Sequence, residues 1–441
     1  MSRRELQLVV AAGLLLSGVI LVRIATATFV LGSPAAGWVH MYQFAFHPHA
    51  IAVAAIVWAC CGLMARVSLR AVQRREWLVV GMWLAIGLLA QVVVRQLTPF
   101  SFEETFVSDG ANGFYTAARA SRPAELLADF DGLRRAFPAD HAKFNMPGKV
   151  LLAHALARVS GRPDVQAWLV VVLSNLGGLL LYLFVRDFLD DRRTAVVALM
   201  LYLLVPSKLL FFPVFNTVTP VAVLACAWCW VRLLHSGDGR YAAALGACAY
   251  LAVFFEPTPS VMGLLFVVLT AYAAQRREID WRSVGRRAAM TFAAFAIVYV
   301  VMVIVFRFNL LSALRGVGAD AVAFNVRVKR PYLPWIAQNL FDVAFGAGIC
   351  QAVVFCWSVA RAGGRVAALA LGTALVLLVT DLVGINRGEV VRLWIFFACF
   401  VQVPAAYVCA RLNGGMALQI VLATTILQTA VATSMMGFAQ P

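Results

Sequence analysis

The sequence predicts an all-α membrane protein, a polytopic transmembrane helical bundle of about thirteen spans. Three observations predict it. First, 62% of the 441 residues are hydrophobic and only 13% are charged, whereas a soluble domain carries about 25% charged residues. With a mean hydropathy of +0.85, most of the chain needs lipid as its solvent. Second, apolar runs of about 20 residues recur along the whole length. Third, the formal net charge of +16 gathers in compact Arg clusters between those runs, the pattern of loops on one side of a membrane. No soluble basic domain accompanies that charge, so no nucleic-acid partner is expected.

Taken in order, the runs cover 6–30, 45–64, 77–94, 165–185, 194–215, 217–231, 241–255, 260–274, 288–306, 340–360, 366–385, 390–410 and 416–436. The first follows Met1-Ser-Arg-Arg-Glu and reads as an uncleaved helix rather than a signal peptide, because more spans follow it. Arg66, Arg70, Arg74 and Arg75 close the second, Arg186, Arg192 and Arg193 the fourth, and Arg232 and Arg240 the sixth. Arg276, Arg277, Arg282, Arg286 and Arg287 follow the eighth, and Arg361 and Arg365 the tenth. With the N-terminus cytoplasmic, every cluster falls inside, while the long polar stretches and the C-terminus fall outside. The division is therefore three helices in 1–95, a long exoplasmic loop with juxtamembrane helices in 96–164, helices four to nine in 165–306, a second exoplasmic loop in 307–339, and helices ten to thirteen in 340–441. The expected location is the plasma membrane, among its lipids.

The nine Cys show no metal or redox spacing. Cys226-Ala-Trp-Cys229 has the letters of a redox pair, but it lies in an apolar run, where thiols pack rather than react. No internal repeat is visible.

Polar residues near membrane depth are costly and point to function. Lys208, Asn216, Glu256, Asp381, Arg387, Glu389 and Arg392 break the apolar pattern, all at the expected outer ends of their helices. Singly, each is equally well explained as a snorkelling side chain or a helix-end ion pair. Seven at one expected level favour a polar cavity opening outward. Arg23 is the one charge that reads as deep. The first long loop adds Ser108-Asp-Gly-Ala-Asn-Gly-Phe-Tyr115, then Thr116-Ala-Ala-Arg119. Asp109 there is either the N-cap of the following helix or a general base or metal ligand at the membrane surface, with Glu103 and Glu104 as competing carboxylates. Further on, Lys143-Phe-Asn-Met-Pro-Gly-Lys149 introduces a short apolar helix over 150–159, opened by the Pro147-Gly148 turn and too short to span.

An acidic residue before a Tyr115-Thr-Ala-Ala-Arg119 helix resembles the first outer loop of the GT-C glycosyltransferases, polytopic enzymes that use polyprenyl-phosphate sugars. Pro206-Ser-Lys with Phe212-Pro-Val-Phe-Asn-Thr217 is similar to the hairpin these proteins place after that loop. Asn386-Arg-Gly-Glu-Val-Val-Arg-Leu-Trp394 resembles the Gly-Glu-x-x-Arg-x-Trp stretch of actinobacterial members. At the turn where the family often has His-Pro-Pro-Gly, this chain has Asn145-Met-Pro-Gly148, and three spans precede the loop instead of one. The resemblance implies a GT-C fold and transfer of a sugar from a polyprenyl-phosphate donor to a glycan, lipid or protein acceptor. Asp109 would be the base. Lys208, Arg387 and Arg392 would hold the donor phosphate, since guanidinium groups bind such oxyanions bidentately. Glu389, Asn145, Lys149, Tyr115, Asn216, Glu256 and Asp381 would orient or bind substrate. These residues name no particular cofactor, and a divalent metal ion is left open. The rival class is a transporter or lipid flippase, which should show broken helices and mid-membrane charges. A third reading is a cell-envelope scaffold that has lost its base.

Overall fold

A computed structural model of the chain describes residues 3–412 and 415–441. Met1 and Ser2 of the basic N-terminal tip, and Asn413 and Gly414, lie outside the described residues. The protein is almost entirely helical, as its composition requires. Ten helices among the described residues are long and apolar enough to cross a membrane, or eleven if one bent pair counts as a single span. Every one of the thirteen apolar runs is helical, but the seventh and the main helix of the twelfth, Gly239–Phe255 and Ile395–Arg411, have only 17 residues each.

The tenth run departs from a straight span. It forms Tyr332–Ala347 and Ile349–Arg361, bent by 114°. Gly348 sits at the break with φ 98° and ψ 126°, a conformation open to glycine. A break strands backbone groups, and in an apolar setting they need protein partners. Gln428 accepts from the Ile349 N–H at 3.1 Å and donates to the Phe345 carbonyl at 2.8 Å, and Gln402 donates to the Ala347 carbonyl at 2.9 Å.

Two further expectations are corrected. The first helix is Arg3–Ala25, so Arg23 stands in its last turn and donates to the Thr28 carbonyl at 2.9 Å instead of lying deep in the span. The stretch 307–339 is largely helical rather than a loop. Asn309 caps Leu310–Arg327 by accepting from the N–H groups of Leu311 and Ser312, and Tyr332–Ala347 begins before the stretch ends.

The chain divides into two interleaved units. The first comprises residues 1–99, 175–212 and 329–438, and the second 100–174, 213–328 and 439–441. In the first unit, Arg192–Leu203 packs on Ile395–Arg411, and Arg3–Ala25 and His49–Ala71 pack on Met416–Met435. A two-stranded ribbon, Gly32–Ser33 with Trp38–Val39, lies between the first two long helices in sequence. Asp342 pins it by accepting from the Gly32 N–H at 3.2 Å.

In the second unit, six short helices fill the first long loop: Phe102–Val107, Phe114–Arg119, Pro123–Ala128, Phe130–Ala136, Asp140–Lys143 and Gly148–Val159. None is long enough to hold itself together in water. They are stable because Phe106, Phe114, Phe130 and Leu126 join one buried cluster with Phe215, Phe254 and Phe308. Buried Arg134 ties the same region together, reaching Asp131 at 2.8 Å, Asp320 at 2.7 Å and the Lys143 carbonyl at 3.0 Å.

Candidate functional site

The residues singled out from the sequence fall into two groups, one in each unit. Lys208, Asp381, Arg387, Glu389 and Arg392 belong to the first unit, and Asp109, Tyr115, Asn145, Lys149, Asn216 and Glu256 to the second.

The first unit builds an arginine cluster on the loop before Val390–Leu393. Gly384 and Gly388 have φ of 64° and 88°. A Cβ at Gly384 would come within 2.4 Å of Tyr332, and one at Gly388 within 2.7 Å of Trp335, so glycine lets the loop lie flat on those rings. Glu389 takes φ 60° without being glycine, a backbone strain of the kind found at functional positions. Its carboxylate accepts from Arg392 at 2.5 Å and from Arg330 at 2.9 Å. Arg330 and Arg387 each donate to the other's carbonyl, at 2.8 and 2.9 Å. Asn339 donates to Asp381 at 2.9 Å and to the Asn386 carbonyl at 3.0 Å, and its own oxygen accepts from the Gly388 N–H at 3.2 Å. Asp381 thus braces the loop through Asn339. Two guanidinium groups, Arg330 and Arg392, share the Glu389 carboxylate, and Arg387 joins them through the Gly384 and Arg330 carbonyls. Three cations against one carboxylate leave the cluster positive and suited to an oxyanion.

Three members of this cluster were missed in the sequence. Arg330 is the first, its guanidinium carbon 5.5 Å from the Trp38 ring centre and 5.9 Å from that of Trp335. Trp38 is the second. His40, the third, lies edge-on to Trp38 at 4.5 Å. Its Nε2 is buried and meets no hydrogen-bond partner among the described residues. Burial pushes its pKa down to about 4, with Arg392 adding to the effect and Glu389 opposing it. Nothing in the spacing of 26–48 marks Trp38 and His40, because the ribbon that places them is held by Asp342, 310 positions from Gly32.

Lys208 lies on Pro206–Leu210, which packs against Tyr332–Ala347 and Val390–Leu393. Fully buried, it donates to the Asn175 side-chain oxygen at 2.5 Å and lies 4.2 Å from the Tyr202 ring centre. Asn175 and Gln91 exchange hydrogen bonds at 2.8 and 2.9 Å. Arg330 joins Arg387 by paired hydrogen bonds and Arg392 through Glu389, while Lys208 donates to Asn175.

The second unit joins three of the selected residues, Lys149, Asn216 and Asn145, to Glu256. Gly148 makes this possible: a Cβ there would lie 2.7 Å from the Phe254 carbonyl oxygen and from the Phe255 Cα, so only glycine lets the Gly148–Val159 helix start against that backbone. Lys149 then reaches Glu256 at 2.9 Å, with its side chain fully buried. Thr219 donates to the same carboxylate at 2.5 Å and Asn216 at 3.4 Å, while Lys149 also contacts Asn145 at 3.4 Å. Glu256 therefore pairs with Lys149.

In the same unit, the turn before Phe114–Arg119 is organised by Ser108, whose hydroxyl accepts from the Ala111 N–H at 3.1 Å. The helix N-cap is Gly113, with φ 68°, so Asp109 is not the cap. Its side chain is exposed, and no hydrogen bond or ion pair holds it among the described residues. His141 contacts the Gly110 carbonyl at 2.8 Å, and Asn145 donates to the His141 carbonyl at 3.1 Å, which links the Asp109 turn to the Glu256 group. Tyr115 accepts from Arg119 at 3.0 Å. Of the competing carboxylates, Glu104 is engaged in a capping box with Ser101, whose hydrogen bonds hold its pKa below the usual carboxylate value, and Glu103 is exposed.

Among the described residues no three His, Cys, Asp or Glu side chains cluster as a metal ligand set. No family model matches the chain, and no curated protein matches it.

Proposed function

We propose that the protein is a membrane glycosyltransferase of the GT-C type, transferring a sugar from a polyprenyl-phosphate donor to an acceptor on the outer face of the plasma membrane. The observation that carries this reading is the arginine cluster, with Arg330 and Arg392 on Glu389 and Arg387 hydrogen-bonded to the Arg330 carbonyl, beside the ends of apolar helices. A lipid phosphate rests at such a level while its tail stays in the bilayer. In the reaction, Asp109 takes the proton of an acceptor hydroxyl, whose oxygen attacks the anomeric carbon. The bond from that carbon to the phosphate oxygen breaks, and the polyprenyl phosphate leaves with the electron pair. Guanidinium groups stabilise the charge that develops on it. Glu389 orients Arg392 and Arg330, and Asp381 steadies the loop through Asn339.

The test is sugar transfer in membranes supplied with polyprenyl-phosphate sugars. Asp109→Asn is expected to lower the rate by about 100-fold or more, since general-base catalysis contributes about 10²–10⁴-fold. Arg392→Ala should weaken donor binding. Full activity in Asp109→Asn, with loss in Glu103→Gln or Glu104→Gln, would move the base to another carboxylate. Unchanged donor binding in Arg392→Ala with a lowered melting temperature would make the cluster structural.

The second reading, a transporter or lipid flippase, is favoured by one observation, the helix pair broken at Gly348. Substrate movement across sealed vesicles without sugar transfer would select it.

A further inference from the structure

We infer that the second unit carries a binding site for an anionic phospholipid, in an apolar groove that ends at Arg287. The groove has a volume of about 530 Å³ and is walled by the helices Thr219–Ser236, Gly239–Phe255, Met262–Gln275 and Trp281–Phe306. That size lies within the ~300–1,000 Å³ of ligand pockets. Its wall is nearly all apolar, with Trp230, Val253, Phe266 and Phe292 among the lining side chains. Trp281–Phe306 packs on Gly239–Phe255 yet has no buried residue along its whole length, so the groove lies beside a helix that leaves an apolar face for lipid.

Arg287 is the one charged residue of the wall. Its Nη1 donates to the Leu234 carbonyl at 2.8 Å, while its Nε is buried and meets no acceptor among the described residues. A buried donor without a partner is costly, and an acceptor entering the groove would relieve it. The surrounding chemistry says which acceptor. Arg282 and Arg286 are exposed on the first turns of the same helix, and Arg276 and Arg277 precede it. Trp281, 65% exposed, stands where an aromatic side chain marks the membrane–water interface. Basic pockets between transmembrane helices recognise anionic headgroups. An acyl chain fills the apolar wall and the phosphate meets the Arg287 guanidinium. This site lies in one unit and does not depend on the glycosyltransferase reading.

The experiment counts retained lipids by native mass spectrometry after the whole protein is equilibrated in phosphatidylcholine bilayers with and without phosphatidylglycerol. Wild type should retain phosphatidylglycerol in preference to phosphatidylcholine. Arg287→Gln should lower that retention about tenfold, the effect of one lost charge-assisted bond. Gly263 lines the groove, and a Cβ there meets nothing within 4 Å, so Gly263→Leu fills the space and should lower retention of both lipids. Equal retention of the two lipids by wild type would overturn the inference. So would full phosphatidylglycerol retention in Gly263→Leu, a variant that needs no change at Arg287. A polyprenyl phosphate held there in place of a phospholipid would also overturn it.

Discussion

His40 shows how much a single side chain can depend on its surroundings. Its ring sits between Trp38 and Phe438, and burial pushes its pKa to about 4, below the ordinary 6.5. A base whose folded pKa is depressed stabilises the fold fully above its unfolded pKa. As pH falls from about 6.5 to about 4, the unfolded chain takes up a proton that the folded chain refuses, and stability drops by up to ~1.4 kcal/mol per pH unit. The melting temperature should therefore fall across that window, and His40→Phe should flatten the fall. An unchanged slope in His40→Phe would remove His40 as its source. At this scale the sequence could mark residues but not join them. Glu256 was visible as a polar residue near membrane depth and Lys149 as the end of the loop turn that opens the short helix over 150–159, yet their pairing across 107 positions depends on Gly148 meeting the backbone of Phe254 and Phe255. Asp109 was visible too, and its capping role was discarded only once Gly113 proved to be the N-cap.

Among the elements, the break at Gly348 is the clearest case where hydropathy and geometry part. Apolar composition is the same on both sides of a bend, so 340–360 reads as one straight run. The bend is permitted by Gly348 and completed by Gln428, from a helix about 80 residues further along the chain. Gln428→Leu keeps the size and removes both hydrogen bonds, stranding the Ile349 N–H and the Phe345 carbonyl. Each stranded buried group costs roughly 1–3 kcal/mol, so the variant should melt clearly below wild type in thermal unfolding. An unaltered melting temperature would show that these groups find other partners. The helix Leu310–Arg327 was missed for the opposite reason. Its polar content resembled a loop, although Asn309 before Leu310 and Leu311 carried a legible cap signal.

For the whole molecule, the parity of the spans decides which side of the membrane each end occupies. Ten crossings would place both ends together, whereas eleven or thirteen would separate them. The alternation of Arg clusters predicts opposite sides, so a reporter fused after Pro441 should be exoplasmic while one before the first helix is cytoplasmic. A cytoplasmic C-terminal reporter would remove the basis for an outer-face site. The sequence by itself determined the membrane class, the helical class and the position of every apolar run, because these follow from side-chain transfer free energies that add along the chain. It also placed most of the polar residues at helix ends. Tertiary structure alone decided which of them belong to each of two units, that Arg330, Trp38 and His40 join those of the first, and that one run is broken. Those outcomes depend on which backbones approach closely and which distant amides satisfy them, and no local pattern in the sequence encodes such contacts.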